Sequence, residues 1–227
     1  EAGKIVPFTF FIIIGTVVFY GVISLPLARF LGITIPEPQG LIFVGAHTWA
    51  RKIALELKRQ GLQVIMVDSN KENAIAAEQE GLVSYCGNIL DDKISDEMDL
   101  SGVGNIFALT SNEEANSLAL IKYKEVFGRK GLYHLPVDLK KNGIVNHGGL
   151  GRILFGSDMD YSRMEEVFSK GAEVITMNHE EYSRLDNMKL MPIGVIDERG
   201  KLHIRTSDHE IQIKDKYRIL CILNKME

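Results

Sequence analysis

The segment LIFVGAHTWARKIALELKRQGLQVIMVD, residues 41–68, decides the fold of this chain. It begins with a short apolar run that ends at Gly45, continues with apolar residues at helical spacing, and closes with a second apolar run that ends at Asp68. A strand, a glycine turn, a helix, a strand and an acidic residue within about 30 residues are the layout of a dinucleotide-binding βαβ unit. The segment therefore predicts two parallel strands joined by a helix.

The glycine turn departs from the usual fingerprint, in which the second of three glycines lets the backbone approach a pyrophosphate. His47 occupies that second position, and Ala50 occupies the third, where alanine is accepted. A side chain at position 47 stands where a phosphate would otherwise contact bare backbone. Two interpretations stay open: the imidazole meets an anionic ligand beside the helix N-terminus, or the site has lost dinucleotide binding and keeps only the fold.

Polar residues stand at the ends of the predicted strands, where open α/β sheets place their ligands. Asp68 is positioned to bind ribose hydroxyls, and its alternative role is to cap the next helix. Asn88 and Thr110 follow the third and fourth predicted strands. Both fit turn or cap chemistry equally well, because such residues are common in turns. The sequence thus indicates a cleft without separating ligand contacts from turn residues.

Strand and helix patterns alternate as far as residue 134, which predicts a doubly wound parallel sheet with helices on both faces. Residues 138–156 are rich in glycine and predict a loop with one short strand at 152–155. A further helix and strand are expected within residues 161–177. Beyond Met191, apolar and polar residues alternate around the turn DERG. The predicted fold class is α/β, a Rossmann-like sheet followed by a small β-rich subdomain.

The N-terminal residues 7–35 are almost entirely apolar, and Arg29 is their only charged side chain. A bilayer core requires about 20 mostly apolar residues, which residues 8–28 supply. The run is longer than the apolar core of a signal peptide, about 7 to 15 residues, and it lacks a small-residue cleavage site. We therefore predict one transmembrane helix, with a buried core helix as the alternative.

These patterns divide the chain into three predicted parts: a transmembrane helix in residues 1–35, a Rossmann domain in residues 36–178 and the β-rich subdomain in residues 179–227. Two prolines and a glycine in residues 35–40 predict the linker between the first two parts. Because the chain begins with Glu1 rather than Met, we expect a longer protein with earlier membrane segments.

Composition excludes several functional classes. The net charge is −4, with 26 basic and 30 acidic residues and no block of Lys and Arg, so we expect no nucleic-acid partner. Two widely separated cysteines indicate neither a zinc site nor a disulfide framework. No Ser, His and acid set has nucleophile spacing, and no paired carboxylates stand out. We therefore predict no catalytic residue, no metal site and no enzyme.

Two stretches resemble known families. GTVVFYGVISLPLARFLGI, residues 15–33, resembles the final transmembrane helix of the sodium/proton antiporter family of monovalent cation:proton exchangers. FVGAHTWARKIALELKRQGLQVIMVDSNKENAIAAEQEGLVSYCGNI, residues 43–89, together with ALTSNEEAN, resembles the potassium-conductance regulator domain, also called RCK or TrkA N-terminal. Such domains usually carry GxGxxG and a Gly-Asp pair after the third strand, whereas this chain has His47 and Gly87-Asn88 at those places.

The RCK resemblance implies a nucleotide pocket whose residues lie around phosphate, ribose and base. The implied ligand is NAD(H) or an adenine nucleotide. The residues that match the pocket are Gly45, Ala46, His47 and Thr48 around phosphate, Asp68 and Ser69 near ribose, and Asn88 and Thr110 beside the base.

Together the resemblances imply a cytoplasmic nucleotide-sensing regulatory domain of a monovalent cation/proton antiporter, a multi-pass protein of the cell membrane. Ligand binding would favour one arrangement of paired domains and so gate transport. The implied partners are the transmembrane antiporter portion of the same chain, the membrane and a second copy in a homodimer. Met164, Val167 and Phe168 are candidates for the dimer contact or for the chain's own core. The alternatives are a structural assembly module without a ligand and, less favoured, an NAD-dependent oxidoreductase.

Overall fold

A computed structural model of the chain describes residues 2–30, 38–137, 150–185 and 190–224. The chain forms two compact units, Glu1–Glu37 and Pro38–Glu227. Residues 31–37, which include half of the predicted linker, and residues 138–149, which include most of the predicted glycine-rich loop, lie outside the described part.

The described part of the first unit is one helix, α1, at Ala2–Phe30. Its stretch Pro7–Ala28 has 22 residues and is long and apolar enough to cross a membrane. At 1.5 Å per residue this stretch is about 33 Å long, which matches a hydrocarbon core of about 30 Å. Apolar side chains are exposed around the helix, among them Phe8, Phe11 and Tyr20. The predicted helix is therefore confirmed, and α1 could span a membrane.

The second unit begins with a parallel sheet and the helices that cover it. Its strands are β1 Gly40–Val44, β2 Val64–Asp68, β3 Val83–Cys86, β4 Val103–Ala108, β5 Leu132–His134 and β6 Arg152–Ile153. Its helices are α2 Thr48–Arg59, α3 Lys71–Gln79, α4 Asp92–Glu97 and α5 Glu113–Phe127, followed by a 3-10 turn at Arg129–Gly131. The short helix α4 was not predicted from the sequence.

The six strands are parallel and lie in the order β3-β2-β1-β4-β5-β6. The chain direction across the sheet reverses between β1 and β4, so the loops after these two strands diverge and leave a crevice at their carboxyl ends. This crevice is the place where open α/β sheets bind ligands.

Helices cover both faces of the parallel sheet, because alternate residues of each strand point to opposite sides. Leu41 and Phe43 of β1 belong to the core that includes α2 and α3. Ile42 and Val44 belong to a second core with residues of α4 and α5. The predicted doubly wound, Rossmann-like α/β fold is confirmed.

The rest of the second unit is built around an antiparallel sheet. Its elements are α6 Tyr161–Ser169, β7 Glu173–Met177, α7 His179–Arg184, β8 Leu190–Ile196, β9 Leu202–Ile204 and β10 Arg218–Leu223. The strand order is β7-β10-β8-β9. The predicted hairpin turn is confirmed, because the Gly200 N–H donates to the Asp197 carbonyl oxygen at 2.9 Å. The C-terminal β-rich part is thus present, although α7 was not predicted.

Helix α2 joins the two sheets into one core. Its residues Ile53 and Leu57 are buried in the same cluster as Phe43 of the parallel sheet and Leu220 of the antiparallel sheet. In addition, the Lys52 ammonium donates to the Ala172 carbonyl oxygen at 3.0 Å. The antiparallel sheet starts at Glu173, before the predicted boundary at residue 179, because β7 pairs with β10 and not with the parallel strands.

Two details differ from the sequence expectations. The strand predicted at 152–155 ends at Ile153, because Phe155 has a φ of 63° and cannot continue an extended chain. Met164, Val167 and Phe168 are buried in the chain's own core, with exposed fractions of 0%, 6% and 8%. These three side chains are therefore not available for a dimer contact, and the alternative expectation for them holds.

Candidate ligand site at the carboxyl ends of the parallel strands

The turn after β1 requires glycine at one position. Gly45 has a φ of 108°, in the region that favours glycine. Its N–H donates to the Val67 carbonyl oxygen at 2.8 Å, which fixes the turn to the end of β2. A Cβ atom at Gly45 would lie 3.4 Å from His47 Nε2 and 3.5 Å from Thr110 Cγ2. The turn is therefore already packed against the loop that follows β4.

Asp68 holds this turn from the end of β2. Its half-buried carboxylate accepts three hydrogen bonds: from the Ala46 N–H at 2.7 Å, the Asn70 N–H at 2.8 Å and the Asn73 amide at 2.9 Å. The cap of α3 is Asn70, which accepts from the Glu72 N–H, so the alternative role of Asp68 as that cap is wrong. The carboxylate expected to bind ribose is engaged within the chain.

Arg51 of α2 holds the carbonyl side of Ala46, the residue whose N–H group Asp68 binds. Its buried guanidinium donates from Nη1 to the Ala46 carbonyl oxygen at 2.7 Å and from Nε to Glu80 at 3.0 Å. Sequence reasoning missed this residue. The signal was a charge three positions before Ala54, at the edge of the apolar stripe of α2. The turn is thus restrained through both its N–H and its carbonyl group.

The His47 ring crosses the crevice between β1 and β4. Its Nε2 lies 2.9 Å from the carbonyl oxygen of Leu109, the residue that follows β4. Because a carbonyl oxygen only accepts, Nε2 carries the hydrogen and donates. The ring also packs on Trp49, with centroids 4.2 Å apart, and against Tyr161 of α6, with centroids 5.1 Å apart. The imidazole therefore occupies the entrance that a phosphate would use.

The second ring nitrogen of His47 has a different environment. Nδ1 is buried and has no hydrogen-bond partner among the described residues. Burial lowers the pKa of His47, and it outweighs the Leu109 and His47 carbonyl groups and the carboxylates of Asp68 and Glu165, all of which raise it. In this arrangement the ring is neutral near pH 7, so it adds no positive charge for an anion.

The other predicted site residues are divided between the crevice and the surface. Thr48 is exposed at the start of α2, and Ser69 is exposed after β2. Asn88 is also exposed, and its side chain accepts from the Leu90 N–H at 3.0 Å, which is turn chemistry. Among the described residues, none of these three side chains makes a hydrogen bond to the glycine turn.

Thr110 lies at the crevice but serves the start of α5. Its Oγ1 is 2.7 Å from Oδ1 of the buried Asn116, whose amide also donates to the Thr110 carbonyl oxygen at 2.8 Å. Asn112 is the N-cap of α5, and its side chain accepts from the Ala115 N–H. Of the predicted residues, the structure thus gathers Gly45, Ala46, His47, Asp68 and Thr110.

A pocket of about 650 Å³, which includes space open to solvent, lies beside the crevice at the carboxyl ends of β4 and β5. Its polar lining consists of hydroxyl groups, one carboxylate, one amide and one imidazole, from Thr110, Ser111, Ser117, Tyr161, Ser162, Glu113, Asn116 and His134. Tyr161 also contacts the His47 ring. The pocket therefore borders the crevice at Tyr161.

Of the two free cysteines, Cys86 is exposed and Cys221 is buried. Within residues 2–30, 38–137, 150–185 and 190–224, no three His, Cys, Asp or Glu side chains are grouped to hold a metal ion. Burial raises the pKa of the Cys221 thiol to about 12, so this cysteine is unreactive near neutral pH.

Comparison with known proteins identifies the parallel-sheet region. The TrkA-N domain matches residues 41–134, which run from β1 to the end of β5. No curated protein matches the chain significantly.

Several solved structures resemble the chain at low identity. The NAD(P)-binding domain of an exopolyphosphatase-related protein from Archaeoglobus fulgidus shares 23% identity, with a TM-score of 0.40, over 50% of this chain and 83% of that one. The GsuK channel shares 13% identity over 98% of this chain, with a TM-score of 0.42. The GsuK channel bound to NAD shares the same identity over the same fraction of this chain, with a TM-score of 0.41. The chain spans 46% of the GsuK chain in both comparisons. The resemblance to the RCK domain is confirmed by the family match: residues 41–134 form a TrkA-N, or RCK-like, domain.

The contacts of Asp68 lead to a prediction about stability. Asp68→Ala should lower the free energy of unfolding of residues 38–227 by about 1–3 kcal/mol, because partly buried donors lose their acceptor. Urea denaturation measures the difference. Asp96→Ala is the matched control, since Asp96 is exposed on α4 and should change stability by no more than about 0.5 kcal/mol. Equal stability of the two variants would show that the carboxylate does not hold the turn.

Proposed function

We propose that this chain is a cytoplasmic ligand-sensing regulatory domain of a monovalent cation/proton antiporter, a multi-pass protein of the cell membrane. The observation that carries the proposal is a TrkA-N domain in the same chain as a helix of membrane-spanning length. The sequence resemblance of residues 15–33 to an antiporter helix supports the kind of transporter. We propose a regulatory and not a catalytic role for the domain.

The proposed ligand is a nucleotide, NAD(H) or an adenine nucleotide, with its phosphate at the N-terminus of α2. The first N–H groups of a helix lack intrahelical partners, and the helix dipole favours an anion there by about 0.3–1 kcal/mol when exposed and up to roughly 2 kcal/mol when partly buried. The Rossmann strand order and the glycine turn at Gly45 support this location. Because the His47 ring occupies the entrance, a phosphate must displace it.

Ligand binding would act through the arrangement of two copies of the domain. A ligand shifts an equilibrium between arrangements only by its difference in affinity for them. That difference would reach the membrane part through the segment that joins α1 to β1.

A second candidate function is a structural assembly module that has lost nucleotide binding. The observations that favour it are the His47 ring across the crevice and the engaged Asp68 carboxylate. An NAD-dependent oxidoreductase is the least favoured proposal, because it would require a proton-transfer group beside a nicotinamide. The ligand titration below separates the first two candidates.

The membrane proposal predicts different behaviour for the two units. The full chain should require detergent or lipid, because α1 exposes apolar side chains on all sides, whereas residues 38–227 should remain soluble. Flotation with liposomes measures the association, and the shorter chain is the matched control. A full chain that is monodisperse without detergent and does not float with liposomes would contradict a membrane-spanning α1.

The regulatory proposal predicts that residues 38–227 form at least a homodimer. Leu118 and Ile121 of α5 are candidates for the contact, because they lie one turn apart with exposed fractions of 49% and 51%. Light scattering should give twice the monomer mass, and Ile121→Glu should shift the population to monomer. The control Glu125→Lys alters charge on the same helix without removing an apolar side chain. A monomer at high micromolar concentration would contradict the proposal.

The ligand proposal predicts that residues 38–227 bind a nucleotide weakly and more tightly at lower pH. When a phosphate displaces His47, the exposed ring regains its tendency to protonate, so binding takes up a proton. Calorimetric titration with NAD, NADH, ATP, ADP and AMP at two pH values measures the affinity. His47→Gly should tighten binding, because it removes the ring that a phosphate must displace, and should flatten the pH dependence, because it removes the group that takes up the proton. Helix α2 should persist, since glycine is tolerated at an N-cap.

The role proposed for Asp68 has its own control in the same experiment. Asp68→Ala should lower the affinity for a ligand whose ribose hydroxyls contact this carboxylate. In that variant, 2′-deoxy-ATP should bind no worse than ATP. Asp96→Ala should bind as the unaltered chain does. If neither the unaltered chain nor His47→Gly binds any of the nucleotides, the structural assembly module becomes the better account.

A further inference from the structure

The position of His47 allows more than a passive obstruction. We propose that His47 is a proton-operated gate of the crevice: the neutral ring holds it closed, and protonation releases the ring into solvent and opens it. The proposal concerns the regulation of the site described above. Only its consequence for ligand entry rests on the proposed function, because opening itself requires no ligand.

The closed state depends on a neutral ring with one defined tautomer. The Nε2–H group donates to the Leu109 carbonyl oxygen, which ties the turn after β1 to the loop after β4. The ring also contacts Trp49 of α2 at an interplanar angle of 34° and Tyr161 of α6 in a T-shaped arrangement at 75°. These contacts satisfy one polar atom of a neutral imidazole and bury the other.

Protonation would add a second N–H group to the ring at the wrong place. Nδ1 is buried and makes no hydrogen bond among the described residues, so a new donor there would have to share the His47 carbonyl group, which already accepts from the Arg51 N–H. A buried donor whose acceptor is already engaged is poorly satisfied, and a positive charge increases the cost of burial. The cation would be stable only with the ring in water.

Other groups around the ring act in both directions. Asp68 of β2 and Glu165 of α6 attract a cation, and the faces of Trp49 and Tyr161 also favour one. Asp68 already accepts three hydrogen bonds, however, and the guanidinium of Arg51 binds the peptide next to His47. Leu109 offers only its carbonyl group, which is already engaged.

The balance among these groups is set by burial. Burial is the largest influence on the pKa of His47 and lowers it. The unfolded or exposed ring has a pKa of about 6.5. At a pH between the lowered pKa of the buried ring and the ordinary pKa of about 6.5, the exposed ring binds more protons than the buried ring. The closed form therefore loses stability as the pH falls below about 6.5.

The ring can leave without disturbing helix α2. His47 is the N-cap residue, but its side chain makes no capping hydrogen bond. Its backbone carbonyl oxygen, which accepts from the Arg51 N–H at 3.0 Å, serves the helix instead. The residue is half-buried and is followed by the exposed Thr48, so rotation of the side chain brings the ring into water. Opening is therefore a local change at the turn.

Release of the ring would also connect two spaces. Tyr161 contacts the His47 ring on one side and lines the pocket beside β4 and β5 on the other. With the ring gone, the crevice and the pocket would form one continuous cleft. Tyr161 is the first residue of α6, which leads into the antiparallel sheet, so the contact broken on opening lies at an element shared with that sheet.

The sequence supplies a specific probe, because Trp49 is the only tryptophan of the chain and lies on the His47 ring. The experiment uses the full chain in detergent micelles, without ligand, and follows tryptophan emission and its quenching by acrylamide from pH 8 to pH 5, where histidine titrates. As the pH falls, the emission should shift to longer wavelength and acrylamide quenching should increase. Far-UV circular dichroism should stay constant.

Two variants assign the change to one histidine. His47→Gln removes the titration and should give emission that does not respond to pH. His203→Gln is the matched control. The His203 side chain is partly exposed and contacts Asp197 in the antiparallel sheet, so this variant should retain the response of Trp49 to pH. If His47→Gln does not fold, the Cε1 signals of the six histidines in the unaltered chain give the same information by NMR. One signal should titrate in step with Trp49 and below the ordinary histidine pKa.

Three results would overturn the gate. The first is emission of the unaltered chain that does not change with pH. The second is a loss of Trp49 emission at low pH without an increase in quenching by acrylamide, which would mean that the His47 ring is protonated while it stays in the crevice. The third is an unchanged response in His47→Gln. If nucleotides bind but Trp49 does not respond to pH, the gate fails and the proposed function stands, whereas a pH response without nucleotide binding supports the gate alone.

Discussion

Burial of helix α2 between the two sheets is the constraint on which the rest of the structure depends. Its apolar face shares one core with residues from the parallel and the antiparallel sheets, so the helix has a fixed position relative to both. The residues at the N-terminal end of α2 are therefore also fixed relative to both sheets. His47 is therefore aimed at the end of β4, Trp49 beneath it is buried, and Arg51 reaches back to the turn after β1.

The candidate site shows how a ligand-binding turn can be satisfied from within the chain. In the usual arrangement, the backbone of the turn faces a pyrophosphate and the acid after β2 faces ribose. Here the Ala46 N–H donates to that acid, and the imidazole bridges the strand ends where the pyrophosphate would lie. A ligand must therefore exchange existing hydrogen bonds for its own, so its net affinity depends on the difference and not on the sum of its contacts.

Local patterns were sufficient for most of the parallel sheet. Strands β1 to β5 and helices α2, α3 and α5 follow from apolar periodicity, because this signal depends on neighbours within one turn or one strand. Local sequence patterns did not predict which strands pair with each other. Residues 161–177 read as one more helix and strand of the repeat, yet β7 pairs antiparallel with β10, whose residues come more than forty positions later. Short elements such as α4 and α7 carry too few residues for a periodic signal.

The sequence by itself determined that a strand, a glycine turn and a helix follow one another, that Gly45 suits the turn, and that Asp68 ends the second strand. It also located the unusual residue, His47, but it left two roles open for it. Only the tertiary structure decided what these side chains contact. The partner of His47 is Leu109, 62 residues away, and that of Arg51 is Glu80, 29 residues away. Such contacts form because the packed sheets bring distant strand ends together, and a local sequence pattern contains no record of that proximity.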